Sequence, residues 1–120
     1  SKVISTIQGS IFDVLIDLRK SSITYKQWAG IYLNARKKNI LWIPKGFAHG
    51  FLSLENNTIV NYKVDNYWNK NYERSIAWND KTIKIKWPLR ESIQELPNIS
   101  KKDSQAQSFK EIEMAGDIFI

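Results

Sequence analysis

The chain has 120 residues, no cysteine and a net charge of +6, with 42% hydrophobic residues. That is enough for one domain with one core, and too apolar for a disordered chain. Disulfides and thiolate metal sites are excluded. No run approaches the roughly 18 apolar residues of a membrane helix. The 120 residues show no signal-peptide pattern, and a cytoplasmic location is expected. The lysines and arginines are scattered, with short runs only at 36–38 and 101–102. A nucleic-acid-binding stripe is not visible, whereas a phosphorylated small ligand needs only a few local cations.

Period-two patterning runs through most of the chain. Val3–Ile7 reads as a strand, and Gln8-Gly9-Ser10 as a turn. Ile11–Leu18 reads as a buried strand interrupted by Asp13 and Asp17. Arg19–Ser22 is a loop, and Tyr25–Leu33 the next strand. Ile40–Ile43 is a short strand stopped by Pro44, with a turn at Lys45-Gly46. Phe47–Leu54 and Thr58–Val64 follow as strands, then a polar, aromatic loop over Asp65–Tyr72. Ser75–Trp78 and Thr82–Ile85 read as short strands around Asn79-Asp80. Ser100 and Asp103 resemble a capping box opening a C-terminal helix that Gly116 would end. Many short strands with regular turns predict one all-β domain, a sandwich or barrel, with a short C-terminal helix. The chain starts at Ser1 with a strand almost immediately, so a cropped N-terminus is expected.

Few residues carry chemistry. His49 is the single histidine. One histidine without cysteine does not make the usual transition-metal site, so no metal is expected. As a lone histidine it is as readily a hydrogen-bonded structural residue as a functional one. Alternation in 59–64 puts Tyr62 on one face with Val60 and Val64, pointing into the barrel. There it is either a core tyrosine or a general acid facing a cavity. Lys2 begins the first strand and Asp13 lies in the second. A hairpin turning at Gln8-Gly9 would bring them together, and a lysine beside a carboxylate in a barrel must be paired. Tyr67, Trp68, Tyr72, Glu73 and Arg74 form an aromatic, charged stretch, either edge packing or a stacking platform for a planar base.

Taken together, Lys2-Val3-Ile4, Gln8–Val14, Gln27–Gly30, Leu41–Phe51, Tyr62-Lys63, Tyr72–Ile76, Ile76–Asp80, Ile85–Pro88 and Ser100–Asp103 resemble the dTDP-4-dehydrorhamnose 3,5-epimerase family. The order and spacing match along essentially the whole chain. The Gly-Phe-Ala-His-Gly-Phe element at 46–51 is the most specific piece. The resemblance implies a cupin-like jelly-roll barrel, a homodimer and no cofactor. It implies isomerase activity on dTDP-4-dehydro-6-deoxy-D-glucose, inverting C3 and C5 to give dTDP-4-dehydro-L-rhamnose for polysaccharide synthesis. By the same resemblance Tyr62 is the proton donor and Lys2 the cation near the 4-keto oxygen, with Asp13 orienting Lys2. His49 binds substrate. Glu73 and Lys102 contact substrate or nucleotide, and Trp68 stands where a tyrosine usually stacks on thymine. Asp103 partners the base, a histidine in an Arg-Gly-Leu-His-like segment upstream of Lys2. The 120 residues do not contain that segment, so this chain alone is expected to be inactive. A single-position epimerase of a related dTDP-4-keto sugar and a non-catalytic sugar-nucleotide-binding cupin are the competing readings.

Overall fold

The computed structural model describes residues 1–64, 76, 79–81, 83–88, 106 and 108–110. Six strands follow in order: β1 (Lys2–Gln8), β2 (Ser10–Asp17), β3 (Trp28–Asn34), β4 (Ile40–Ile43), β5 (Phe47–Ser53) and β6 (Ile59–Val64). They form two three-stranded antiparallel sheets, ordered β4-β1-β6 and β3-β2-β5. The described part is therefore all-β, as the patterning predicts. Among the described residues no helix is long and apolar enough to cross a membrane.

The predicted hairpin between the first two strands does not form. β1 pairs with β4 and β6, while β2 pairs with β3 and β5. Gly9 explains the difference. Its φ is 81°, and a Cβ there would collide with Thr58. The chain turns a corner from one sheet to the other under Thr58, with the Gly9 carbonyl accepting from Ala35 N. Only glycine takes this conformation at so close an approach without strain. The β1–β6 register also slips between Thr6 and Gln8.

β2 is buried on both faces. Its Ile11 face packs with Ile4, Leu33 and Ile43 between the sheets, backed by Leu15, Leu41, Phe47 and Val60. Its Phe12, Val14 and Ile16 face packs with Leu18, Ile83 and Phe109. Each fully buried side chain of this size contributes on the order of 1.5–3 kcal/mol. Successive residues point to opposite faces, so this run of apolar residues seals two cores at once.

Two predicted strands change. Tyr25 and Lys26 are turn residues, and the strand starts at Trp28. Lys26 has φ 72° and donates its N–H to the Asp17 carbonyl, which keeps the segment in a loop. The predicted strand 82–85 is a turn where described: Ile83 is a turn residue and Lys84 and Ile85 are not strand. Asp80 organises it. Its carboxylate accepts from the backbone N–H of Ile83 and of Phe109, and its carbonyl from Lys84 N. Ile76 makes an isolated bridge, and Phe109 and Lys110 are helical. Ala106 and Ser108, inside the predicted C-terminal helix, are not helical; the rest of that segment and the 65–72 loop lie outside the described residues.

Gly30 faces Phe12, and a Cβ there would overlap the ring. Gly30→Ala is expected to destabilise the fold by about 1–3 kcal/mol. Thermal denaturation should show a lowered Tm, and adding Phe12→Leu should recover much of it.

Candidate active site

Alternation fixes which side chains look between the sheets. From the first sheet, Lys2 shares the inner face with Ile4 and Thr6 on β1. Tyr62 lies directly opposite Ile4 in the β1–β6 register, so it shares that face. Lys2 and Tyr62 are then diagonal neighbours, a separation of roughly 7–8 Å between backbones that long side chains span. Both side chains are exposed, Tyr62 at 61%. The expected buried tyrosine is thus corrected. It stands on the predicted face but opens to solvent, because the apolar packing that buries Ile4 does not extend to it.

From the second sheet, Asp13 and Leu15 on β2 and His49 and Phe51 on β5 share the inner face. The register pairs Asp13 with Phe51 and Leu15 with His49. Asp13 and His49 are therefore diagonal neighbours, and His49 Nε2 lies 2.9 Å from Asp13 Oδ2. Asp13 is fully buried and the His49 side chain is 12% exposed. This is Asp13's observed partner, in place of the expected Lys2. Divergence of β1 and β2 into separate sheets removes the hairpin on which that expectation rested. The contact ties the imidazole to the Asp13 carboxylate through Nε2 and so fixes the orientation of the ring. Asp13 Oδ1 is buried and has no hydrogen-bond partner among the described residues.

A second buried carboxylate anchors the end of β2. Arg19 reaches Asp17 through Nε and Nη2, each at 3.1 Å, and through its backbone N–H at 2.9 Å. Thr24 Oγ1 donates to the same carboxylate, and Ser22 Oγ lies within hydrogen-bond distance of Thr24. The Arg19 hydrogen bonds, against the opposing effect of burial and helped by Thr24 and Ser22, hold the Asp17 carboxyl well below the usual carboxylate range. The Arg19 guanidinium also sits 4.8 Å over the Phe47 ring, and Leu18 N donates to the Gly46 carbonyl. These contacts fix the start of β5, two residues before His49. Sequence reasoning marked Asp17 only as a break in a buried run. The following Leu-Arg-Lys-Ser-Ser-Ile-Thr, rich in local partners, was the available signal.

Of the predicted site residues, the structure brings Asp13 and His49 into contact and puts Lys2 and Tyr62 together on the facing sheet. Trp68, Glu73, Lys102 and Asp103 lie outside the described residues. Among the described residues no three His, Cys, Asp or Glu side chains gather as a metal site would require.

The family model of dTDP-4-dehydrorhamnose 3,5-epimerase matches residues 1–111. The chain belongs to this family. It is 44% identical over 108 residues to the dTDP-4-dehydrorhamnose 3,5-epimerase of Shigella flexneri, covering 90% of this chain and 57% of that protein. The rmlC epimerase of Mycobacterium tuberculosis superposes with a TM-score of 0.92 at 31% identity, covering 98% of this chain and 58% of the other. A dTDP-6-deoxy-D-glucose-3,5-epimerase from Legionella pneumophila, solved with dTDP-4-keto-L-rhamnose, gives 0.89 at 37% identity, covering 98% and 60%. The fold is accordingly cupin-like. The chain spans somewhat under three fifths of the length of the Shigella relative.

Replacing Asp13 should expose the dependence of His49 on it. In wild-type protein the Nε2 proton is expected as a slowly exchanging low-field imidazole signal in NMR spectra. Asp13→Ala should abolish that signal and cost about 1–3 kcal/mol of stability, the usual cost of leaving a buried donor unmade. A signal that survives the substitution would mean that another group holds the ring.

Proposed function

We propose that the protein carrying this chain is a dTDP-4-dehydrorhamnose 3,5-epimerase. It would act on dTDP-4-dehydro-6-deoxy-D-glucose and give dTDP-4-dehydro-L-rhamnose. The observation that carries the proposal is the arrangement of chemically distinct groups on the two inner faces. A histidine oriented by a buried carboxylate lies on one, and a lysine beside a tyrosine on the other, in a chain of this family.

The chemistry asks for these groups. A 4-keto function acidifies the hydrogens on C3 and C5. A base removes one, a cation or donor stabilises the enolate oxygen, and an acid on the opposite face of the ring returns a proton. Lys2, exposed on the inner face, suits the enolate oxygen. Tyr62, also exposed there, suits the returning proton. His49, held by Asp13, is a pre-oriented hydrogen-bonding group for the sugar. The base is assigned by family resemblance to a histidine upstream of Lys2, with Asp103 as its partner. Trp68, Glu73 and Lys102 are assigned by the same resemblance to the nucleotide and substrate. The scheme needs no cofactor.

A homodimer is part of the proposal. Alternation turns Ile40 and Trp42 of β4 and Ile59 of β6 outward from the first sheet. All three are exposed, an apolar face suited to a second copy.

Tyr62→Phe in the full-length gene product tests the scheme. Net epimerisation should fall by about 10²–10⁴-fold, the range for losing a general acid, with dTDP binding retained. Unchanged turnover would remove Tyr62 from its role.

A further inference from the structure

Apart from His49, Asp13 is flanked by apolar residues across the strands. In the register of the second sheet its two direct cross-strand partners are Ile31 on β3 and Phe51 on β5. All three share the inner face. Asp13 itself is fully covered, yet Ile31 is 41% and Phe51 46% exposed. The Phe51 ring centroid lies 6.1 Å from that of His49, with a tilt of 35° between the planes. A polar pair is thus framed by two accessible apolar side chains. The facing sheet offers the opposite character at Lys2 and Tyr62.

We propose that Phe51, with Ile31 beside it, is a specificity-determining contact that receives the apolar C5–C6 edge of the hexose and selects a 6-deoxy sugar over its 6-hydroxy counterpart. The inference rests on the epimerase reading above and adds to it the group that chooses the substrate. The physical argument is desolvation. A methyl group laid on a phenyl ring loses only water. A hydroxymethyl group there loses the hydrogen bonds of its hydroxyl, and neither Phe51 nor Ile31 can replace them. The neighbouring His49 fixes the depth of the sugar, so the hydroxyl cannot slide away from the ring without giving up that contact. A pocket of this kind rejects an added hydroxyl by about tenfold to a hundredfold.

The test compares dTDP-6-deoxyglucose with dTDP-glucose, which differ by one hydroxyl and lack the keto group needed for turnover. Calorimetric affinities are measured for both, and for dTDP alone, on the full-length gene product. Wild type should favour the 6-deoxy compound by about tenfold or more. Phe51→Ala should bring the ratio close to one with the affinity for dTDP unchanged. Phe51→Tyr, which keeps the ring and adds a hydrogen-bonding group, should also shrink it, and it decides the matter if Phe51→Ala fails to fold. A ratio unchanged in folded variants that still bind dTDP would overturn the inference and leave the epimerase reading standing. A wild-type protein that does not bind dTDP would overturn both.

Discussion

Strand β2 has no solvent face, and yet it carries two carboxylates. Its apolar side chains alternate between the inter-sheet core and the core closed by Ile83 and Phe109. Asp13 and Asp17 fall on the inter-sheet side, both almost completely buried. A carboxylate in that position must be satisfied by fixed partners or lose its charge. Asp17 is satisfied locally, by Arg19 and Thr24. Asp13 is held across the sheet through one oxygen, Oδ2, by His49, while Oδ1 has no hydrogen-bond partner among the described residues. The second arrangement requires β5 to lie beside β2 in one register, because a slip of one residue would turn His49 to the other face.

The two carboxylates therefore act on the same neighbouring strand. The Asp17–Arg19 cluster holds the start of β5 through Phe47 and Gly46, and Asp13 holds its middle through His49. Between these anchors the inner face of the second sheet presents an imidazole with a defined orientation, framed by apolar side chains. Lys2 and Tyr62 are held by a different sheet. In the proposed scheme a sugar nucleotide between the sheets would meet an orienting, partly apolar wall on one side and a wall carrying Lys2 and Tyr62 on the other. That separation suits a reaction that removes a proton from one face of a ring and returns it to the other.

Much of this fold was legible in the sequence because period-two alternation is a local signal. β4 was delimited correctly, with Pro44 unable to continue it, and β2, β5 and β6 to within a residue at either end. The 82–85 segment misled because Ile83 and Ile85 alternate for another reason: both pack on the core from a turn that Asp80 organises. Tyr25 looked like strand because it is aromatic, but it packs on Phe109 from a loop. The Asp13–His49 contact was not legible. The two residues are 36 positions apart, and only the sheet order makes them neighbours. The assumed hairpin offered Lys2 instead, and nothing local in Gln8-Gly9-Ser10 distinguishes a hairpin from a corner between sheets. The face of Tyr62 was readable from alternation; its exposure was not, since that depends on how far the inter-sheet core extends.

The central claim is that groups on the two inner walls serve proton exchange at both carbons flanking a 4-keto group. Its most direct test is to incubate the full-length gene product with dTDP-4-dehydro-6-deoxy-D-glucose in deuterium oxide and read the product by NMR. The account predicts deuterium at both C3 and C5, with inverted configuration at each. Deuterium at one carbon alone would make the protein a single-position epimerase, and none at either would contradict the account outright.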